Sequence, residues 1–204
     1  MEDFVQLQLA EFKNSGVDMT RITFESFDWR TLIRMKQLNS EVHISALVDD
    51  TTIHDNQKDY PGSSSAALGF KANISTWLGG IDLSSMSGDT VGAQVAQAAA
   101  SIGGDILSPV VQYISTNVTH PWEEGFEYFT NSSMVDTAHS LGLTVIPWTI
   151  NQLDLVEYVA QLGVDGILTD YPDIVHRWSV QRGIDVMPRR DVNLVMNCLK
   201  VATT

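Results

Sequence analysis

The sequence predicts an α/β protein built on a parallel sheet, and three observations carry that expectation. First, the stretch from Leu143 to Asp173 reads as two short buried strands, 144–148 and 166–169, joined by an amphipathic helix. The helix places Leu153, Leu155, Val156, Val159 and Leu162 at spacings of three and four. A strand-helix-strand unit of this length requires parallel strands, so both C-terminal ends, Trp148-Thr149 through Asn151 and Asp170-Tyr171, open on one face. Second, further strands at 21–27, 42–48 and 105–107 alternate with helical patterns at a similar rhythm. Third, polar residues follow the last two strands at once, where parallel-sheet proteins keep their chemistry. Five such strands fit either an open doubly wound sheet or a closed eight-stranded barrel.

In chain order, residues 3–14 read as the end of an amphipathic helix with Phe4, Leu7, Leu9 and Phe12 inward and Asn14-Ser15-Gly16 as its stop. A chain that opens inside a helix is expected to have lost what came before. RITFESF, 21–27, reads as a buried strand, and Asp28 is placed to cap a helix from Trp29 to Leu38. The β-branched strand 42–48 ends on Asp49-Asp50. Residues 51–89 are rich in Ser, Gly, Asp and Asn with only short apolar pieces at 66–70 and 76–78, and read as a long excursion from the top of a strand. A small-residue helix, Thr90 to Ile102, stops at Gly103-Gly104 before the strand 105–107, which ends in Ser108-Pro109. The irregular stretch 110–130 carries Trp122, Phe126, Tyr128 and Phe129, as a lid or as anchors of their own loop. Ser133 is placed to cap a helix from Met134 to Leu141, and a last helix spans 174–181. The segment beyond Gly183 shows no clear period. No G-x-G-x-x-G or phosphate loop follows any strand, which weakens a nucleotide-binding reading.

Composition bounds the function. With 204 residues, 44% hydrophobic and 18% charged, the chain is long enough to bury one core, and its apolar runs fall far short of the ~20 residues of a membrane helix. A net charge of -13 disfavours nucleic acid or an anionic membrane as partner. The single Cys198 forms no intramolecular disulfide. Asn73, Asn117 and Asn131 each begin an Asn-x-Ser/Thr triplet, so glycan acceptors are weighed against ordinary surface loops. Those triplets favour secretion, although the opening residues MEDFVQLQLAEF have neither the basic nor the apolar region of a signal peptide.

The combination of Ser26-Phe27-Asp28 at a strand end, Pro147-Trp148-Thr149-Ile150-Asn151, and the run from Gly163 to Asp173, GVDGILTDYPD, resembles the C-terminal part of the glycerophosphodiester phosphodiesterase family. The segment Gly88 to Pro109 further resembles the family's fungal secreted branch. The resemblance covers residues 3–182 and implies an incomplete TIM (β/α)8 barrel, its last five strands and helices, with the first three absent. Residues 1–182 would be this barrel portion with an irregular insertion at 51–89, and 183–204 a C-terminal tail. It also implies metal-assisted hydrolysis of glycerophosphodiesters to glycerol 3-phosphate and an alcohol, with Ca or Mg in the full-length enzyme. Trp148, Asn151, Asp170 and Phe27 are then expected on the substrate, Trp148 as an apolar wall and the alternative for it being strand-end packing.

The family's His-Arg-Gly, Glu-x-Asp and His-Asp elements are not found here in their places, and His54-Asp55 lies in the insertion. Independently, phosphodiester hydrolysis of this type needs converging carboxylates and a general acid, each from a strand end. The strand ends offer Glu25, Asp28, Asp49, Asp50, Asp170 and Asp173 and no histidine. Asp28 fits a helix cap, and Asp170 a turn former or acceptor near the site. Glu25, where the family commonly has Gln, is either a supporting group behind a metal or an exposed carboxylate. Asp49, Asp50, His54, Asp55 and Asp59 lack ligand spacing and read as a solvated insertion. No catalytic residue and no metal ligand is therefore assigned, no cofactor is expected for this chain, and it is expected to be inactive alone. The alternative is a non-catalytic phosphodiester-binding or interaction module completed by another chain. An incomplete barrel exposes strand edges and an apolar inner face, so poor stability and self-association are expected.

Overall fold

A computed structural model describes residues 2–53 and 74–184. They divide into two compact units, Met1–Asp170 and Tyr171–Thr204. In the first unit, helix α1 (Glu2–Asn14) precedes strand β1 (Thr23–Ser26), helix α2 (Trp29–Leu38) and strand β2 (His43–Val48). Helix α3 (Val91–Ser101), strand β3 (Ile106–Pro109), helix α4 (Ser132–Ser140), strand β4 (Thr144–Val145) and helix α5 (Leu153–Gln161) follow. The strands form one parallel sheet in the order β1-β2-β3-β4. Sequential neighbours on a parallel sheet with a helix at each crossover are the arrangement of a (β/α) barrel wall. The described part of the second unit is helix α6 (Pro172–Gln181), which starts on a proline and carries an Arg177–Asp173 ion pair at 3.2 Å.

The register sorts the strand residues onto two faces. Phe24, Ile44, Ala46, Val48, Leu107 and Val145 point to the helices and are buried. They join Trp29, Leu32 and Met35 of α2, Val95, Ala96 and Ala99 of α3, and Met134, Val135 and Ala138 of α4 in one apolar cluster. Each of the large side chains contributes about 1.5–3 kcal/mol by leaving water. The opposite face carries Glu25, Ser45, Leu47, Ile106 and Ser108. Small residues let α3 and α4 come close, because a Cβ on Gly92 would lie 2.9 Å from Asn131 Oδ1 and 3.0 Å from Met134 Cβ.

Four of the five expected strands are present, and 166–169 is not a regular strand. It still runs beside the end of β4 through Asp165 N to Val145 O, Leu168 N to Pro147 O and Ile150 N to Leu168 O. Pro147 has no N–H to donate, so the ladder cannot continue evenly past it. In α1 the inward stripe is Val5, Leu9 and Phe12, whereas Phe4 and Leu7 are 52% and 66% exposed. Leu153 is exposed likewise, at the first turn of α5. Asn131, not Ser133, caps α4, its side chain accepting from Met134 N at 3.1 Å. The expected cap of α2 is present: Asp28 accepts from Arg30 N at 3.1 Å. The far end of the long excursion is core rather than solvated, since Leu78 is fully buried and Trp77 O accepts the N–H of Trp29 at 2.8 Å. The apolar piece 66–70 lies outside the described residues.

Two aspartates tie the strands at their N-terminal ends. Asp105, just before β3, accepts from Ile44 N at 2.8 Å and meets Lys36 Nζ at 2.8 Å and His43 Nδ1 at 3.3 Å. Asp165, sixty residues on, accepts from Val145 N at 2.7 Å and meets His139 Nε2 at 2.9 Å. Partial burial works to raise both carboxyls. For Asp105 it is outweighed by Lys36, the Ile44 N–H and His43, and for Asp165 by the Val145 N–H and His139, so both titrate below the usual aspartate range. A depressed folded pKa adds stability that is present above the unfolded value and is lost as pH falls through the folded one. Asp105→Asn is therefore expected to lower stability at neutral pH by on the order of 1 kcal/mol, and by progressively less as the pH is taken below ~4. Urea midpoints measured from pH 7 to pH 2 test this; a deficit that stays constant over that range contradicts it.

Candidate functional site

The parallel register sends every C-terminal strand end to the same side. β1 ends at Ser26 and leads into Phe27 and Asp28, β2 leads into Asp49 and Asp50, β3 ends at Pro109, and the chain beyond β4 leads to Trp148. Trp148 continues the sheet through its N–H to Pro109 O at 3.0 Å, and its indole N–H donates to Ser108 O at 2.7 Å. Ser108 is in turn anchored by its hydroxyl on Ile146 O at 2.6 Å. The oriented indole meets Phe27 edge to face, with centroids 5.4 Å apart and planes at 89°. Two residues 121 positions apart in sequence thus form one aromatic wall, partly exposed to solvent, with Trp148 also packed against the core.

Asn151 and Asp170 form the polar counterpart. Asn151 Nδ2 donates to Asp170 Oδ2 at 2.8 Å, while its Oδ1 accepts from Asp170 N at 3.0 Å and Thr169 Oγ1 at 3.3 Å. The pair is exposed, and its amide presets the carboxylate rather than leaving it to solvent. Glu25 is not gathered with them. It is exposed on β1 and accepts from the hydroxyl of its register partner, buried Ser45, at 2.9 Å.

The remaining strand-end carboxylates are committed to structure. Asp28 caps α2 and forms a fork with Arg30 Nε and Nη2 at 2.8 and 2.7 Å. Asp49 and Asp50 are buried rather than solvated. Asp49 Oδ1 accepts from Thr51 N, Thr51 Oγ1 and Thr52 N at 2.7–2.8 Å, which closes the turn after β2. Asp50 reaches across to the loop after β3, taking Ile114 N at 2.8 Å and Ser115 N at 3.0 Å. Among the described residues no group of three or more His, Cys, Asp or Glu side chains converges to hold a metal ion. The carboxylates described therefore do not fit a divalent-metal centre by themselves. His54, Asp55 and Asp59 lie outside the described residues.

The loop 110–130 is packed, not loose. Phe129 is buried edge-on to Tyr113 at 5.4 Å, Gln112 and Tyr128 pair in an antiparallel bridge, and Tyr128 stacks on Tyr158 of α5 at 3.6 Å. Partial burial raises the Tyr113, Tyr128 and Tyr158 phenols, helped by Glu127 and Asp50, by Asp154 and by Tyr128 respectively, so all three stay neutral. Trp122 stands apart from this anchorage and stacks on His120. Of the sequon asparagines, Asn117 is exposed in a left-handed turn (φ 57°), while Asn131 has its Oδ1 on the α4 cap and its Nδ2 donating to Phe129 O at 3.3 Å. Asn73 lies outside the described residues. Sequence reasoning did not find Ser45, Ser108 or the Asp50 anchor, because each acts on a group brought near only by the sheet register or by a loop crossing.

Comparison with known proteins agrees on one family. Residues 1–174 match the model of the "Glycerophosphoryl diester phosphodiesterase family". YhdW of Bacillus subtilis, named for glycerophosphodiester phosphodiesterase activity, is 38% identical over 45 residues, 22% of this chain and 18% of that protein. A solved structure from Silicibacter pomeroyi, titled as a glycerophosphoryl diester phosphodiesterase, superposes with a TM-score of 0.59 at 25% identity, covering 91% of this chain and 46% of that one. A glycerophosphodiester phosphodiesterase from Parabacteroides distasonis gives 0.53 at 17% identity over 89% of this chain and 52% of that one. The chain spans about half the length of these solved relatives.

If Asp50 holds the loop after β3 in place, Asp50→Ala deprives two main-chain donors of their acceptor, a loss on the order of 1 kcal/mol where water can partly replace it. Faster proteolytic cleavage within residues 113–127 is expected. Cleavage at the wild-type rate contradicts the role.

Proposed function

The chain belongs to the glycerophosphoryl diester phosphodiesterase family, and on that premise we propose that it forms the substrate-facing half of a phosphodiesterase barrel without carrying the hydrolytic groups itself. The single observation behind this reading is the oriented aromatic wall of Phe27 and Trp148, which lies with the Asn151–Asp170 pair at the C-terminal strand ends. A small polar ligand needs an apolar wall for its carbon skeleton and a few fixed polar groups for its hydroxyls, and this face offers both. Trp148 and Phe27 would flank the glycerol carbons, and the Asn151-held Asp170 carboxylate would accept from a glycerol hydroxyl.

The intact enzyme of this reading converts a glycerophosphodiester to glycerol 3-phosphate and an alcohol. A bound Ca or Mg ion supplies Lewis-acid polarisation of a phosphoryl oxygen in such chemistry. In this chain Asp28, Asp49 and Asp50 are held by backbone or Arg30 contacts, and Glu25 lies on Ser45, in reach of a supporting role only. Acid, base and metal ligands would come from the part of the barrel that this chain does not span. That assignment makes the chain inactive alone and gives it one partner class besides substrate, a polypeptide that completes the sheet. A non-catalytic binding module is the second reading, favoured by the committed carboxylates. Self-association through the open sheet edges belongs to the proposal as well.

We place the protein in the fungal secreted branch on the segment Gly88 to Pro109, and in the secretory pathway on its sequons. Of the two acceptors among the described residues, Asn117, exposed at a turn, is the better presented for a glycan. The test of function is release of glycerol 3-phosphate from a glycerophosphodiester by the purified 204-residue chain with Ca²⁺ or Mg²⁺ added. No release above the protein-free blank is expected, and metal-dependent turnover would sink the assignment of the catalytic groups elsewhere.

A further inference from the structure

The two Asn-x-Ser/Thr triplets among the described residues sit in opposite surroundings. Asn131 closes the entry to α4: its Oδ1 accepts from Met134 N at 3.1 Å and its Nδ2 donates to Phe129 O at 3.3 Å, so both ends of the amide are engaged. The residues before it are anchored as well. Phe129 and Thr130 are buried, and both donate their N–H to Val111 O, at 2.9 and 3.1 Å. The hydroxyl residue of this triplet is Ser133, whose Oγ pairs with Thr90 Oγ1 at 2.6 Å. Thr90 in turn caps α3 by accepting from Ala93 N at 3.1 Å. The triplet Asn131-Ser132-Ser133 therefore fastens the first turn of α4 to the first turn of α3.

An N-linked sugar replaces one hydrogen of Nδ2. The secondary amide so formed keeps its remaining hydrogen trans to the oxygen, as a peptide does, and the sugar carbon C1 then lies on the oxygen's side. At Asn131 that side holds the Met134 N–H and the backbone of Gly92, where an added Cβ would already stand 2.9 Å from Oδ1. A sugar there requires the side chain to leave the cap, which takes the acceptor from Met134 N and loosens α4 from α3. Asn117 is the reverse case. It is exposed in a left-handed conformation that asparagine tolerates, and its turn is closed by the main chain, Asn117 N to Ile114 O at 3.2 Å. No described residue bonds its side chain. Asp50 holds Ile114 and Ser115 on one side of the triplet and Gln152 holds Thr119 O on the other, so the presentation of Asn117 does not depend on its own amide.

We infer that the fold selects between its own acceptor triplets: Asn117 is open to N-glycosylation on the folded chain, whereas Asn131 is closed to it and serves instead as the fastener between α3 and α4. In the covalent step Asn117 Nδ2 bonds to C1 of the sugar, the C1–O bond to a diphosphate carrier breaks, and the displaced Nδ2 proton leaves with the diphosphate. The inference takes from the secretory reading only the setting in which a glycan is met. The openness of one triplet and the closure of the other follow from the fold.

The test uses the purified 204-residue chain with a soluble N-glycosyltransferase and UDP-glucose, beside free synthetic peptides spanning each triplet, and reads occupancy at each asparagine by mass spectrometry. Normalising each rate to the free peptide removes the enzyme's own preference for one triplet. Asn117 is expected to react in the chain within ~3-fold of its peptide, and Asn131 at least ~10-fold more slowly than its peptide, because the cap must first open. Asn131 reacting as fast in the chain as in its peptide would overturn the closure, and Asn117 reacting in its peptide but not in the chain would overturn the opening. Asn131→Ala in the unmodified chain checks the fastener itself: the thermal midpoint is expected to fall by ~2–4 °C, and an unchanged midpoint would overturn that role. Both readouts are obtained outside a cell, so a failure of the secretory reading leaves them unchanged.

Discussion

The geometry of the C-terminal face depends on the register of four parallel strands, and that register is fastened from the opposite end. Asp105 and Asp165 stand at equivalent places in alternate βα units, each just ahead of a strand or strand-like segment, and each takes the main-chain N–H of the second residue of the strand before it. A slip of one residue would turn every side chain to the other face of the sheet. Asp105 fixes β2 against the start of β3, and Asp165 fixes β4 against the segment 166–169; in the neighbouring pairs Ser45 lies beside Glu25, and Trp148 reaches Pro109 and Ser108. The wall of Phe27 and Trp148 rests on that register together with the indole's own bond to Ser108 O.

The same economy explains why an acidic chain gathers no metal-binding carboxylates among its described residues. A carboxylate that accepts from two main-chain N–H groups or a guanidinium fork is held in place by them, and withdrawing it would leave those donors without that partner. Asp28, Asp49 and Asp50 are all in this position. Their proximity to the strand ends is therefore compatible with a structural role throughout. Asp170 differs, because its partner is another exposed polar side chain that can rearrange around a ligand.

Much of the fold was legible in the sequence. The βα alternation implied the parallel sheet, the Asp28 cap of α2 followed from local pattern, and the family motifs Pro147–Asn151 and Gly163–Asp173 sat where the strand ends are. The failures have physical causes. The spacing of Phe4 and Leu7 satisfies helical periodicity, but a stripe one position round, Val5 and Leu9, is the one that meets the core. Pro147 removes a donor that the apolar pattern of 144–148 does not reveal, so the last expected strand becomes an irregular segment. Composition made 51–89 read as an irregular excursion with short apolar pieces, and of these the piece 76–78 seats its end in the core through Leu78. At the site Trp148, Phe27, Asn151 and Asp170 could each be named and Asn151 and Asp170 set on one face, but the pairings themselves could not, since Trp148 meets Ser108 and Phe27 only through the sheet.

The central claim is that the strand ends of this chain present a glycerophosphate-facing surface whose indole and amide are already oriented. It is tested most directly by nuclear magnetic resonance of the ¹⁵N-labelled chain titrated with glycerol 3-phosphate, followed at the indole N–H of Trp148 and the side-chain amide of Asn151. The account predicts that both resonances shift along one saturable curve while the indole N–H of buried Trp29, bonded to Leu47 O at 2.9 Å, does not. Resonances of Trp148 and Asn151 that stay in place at saturating ligand would contradict it.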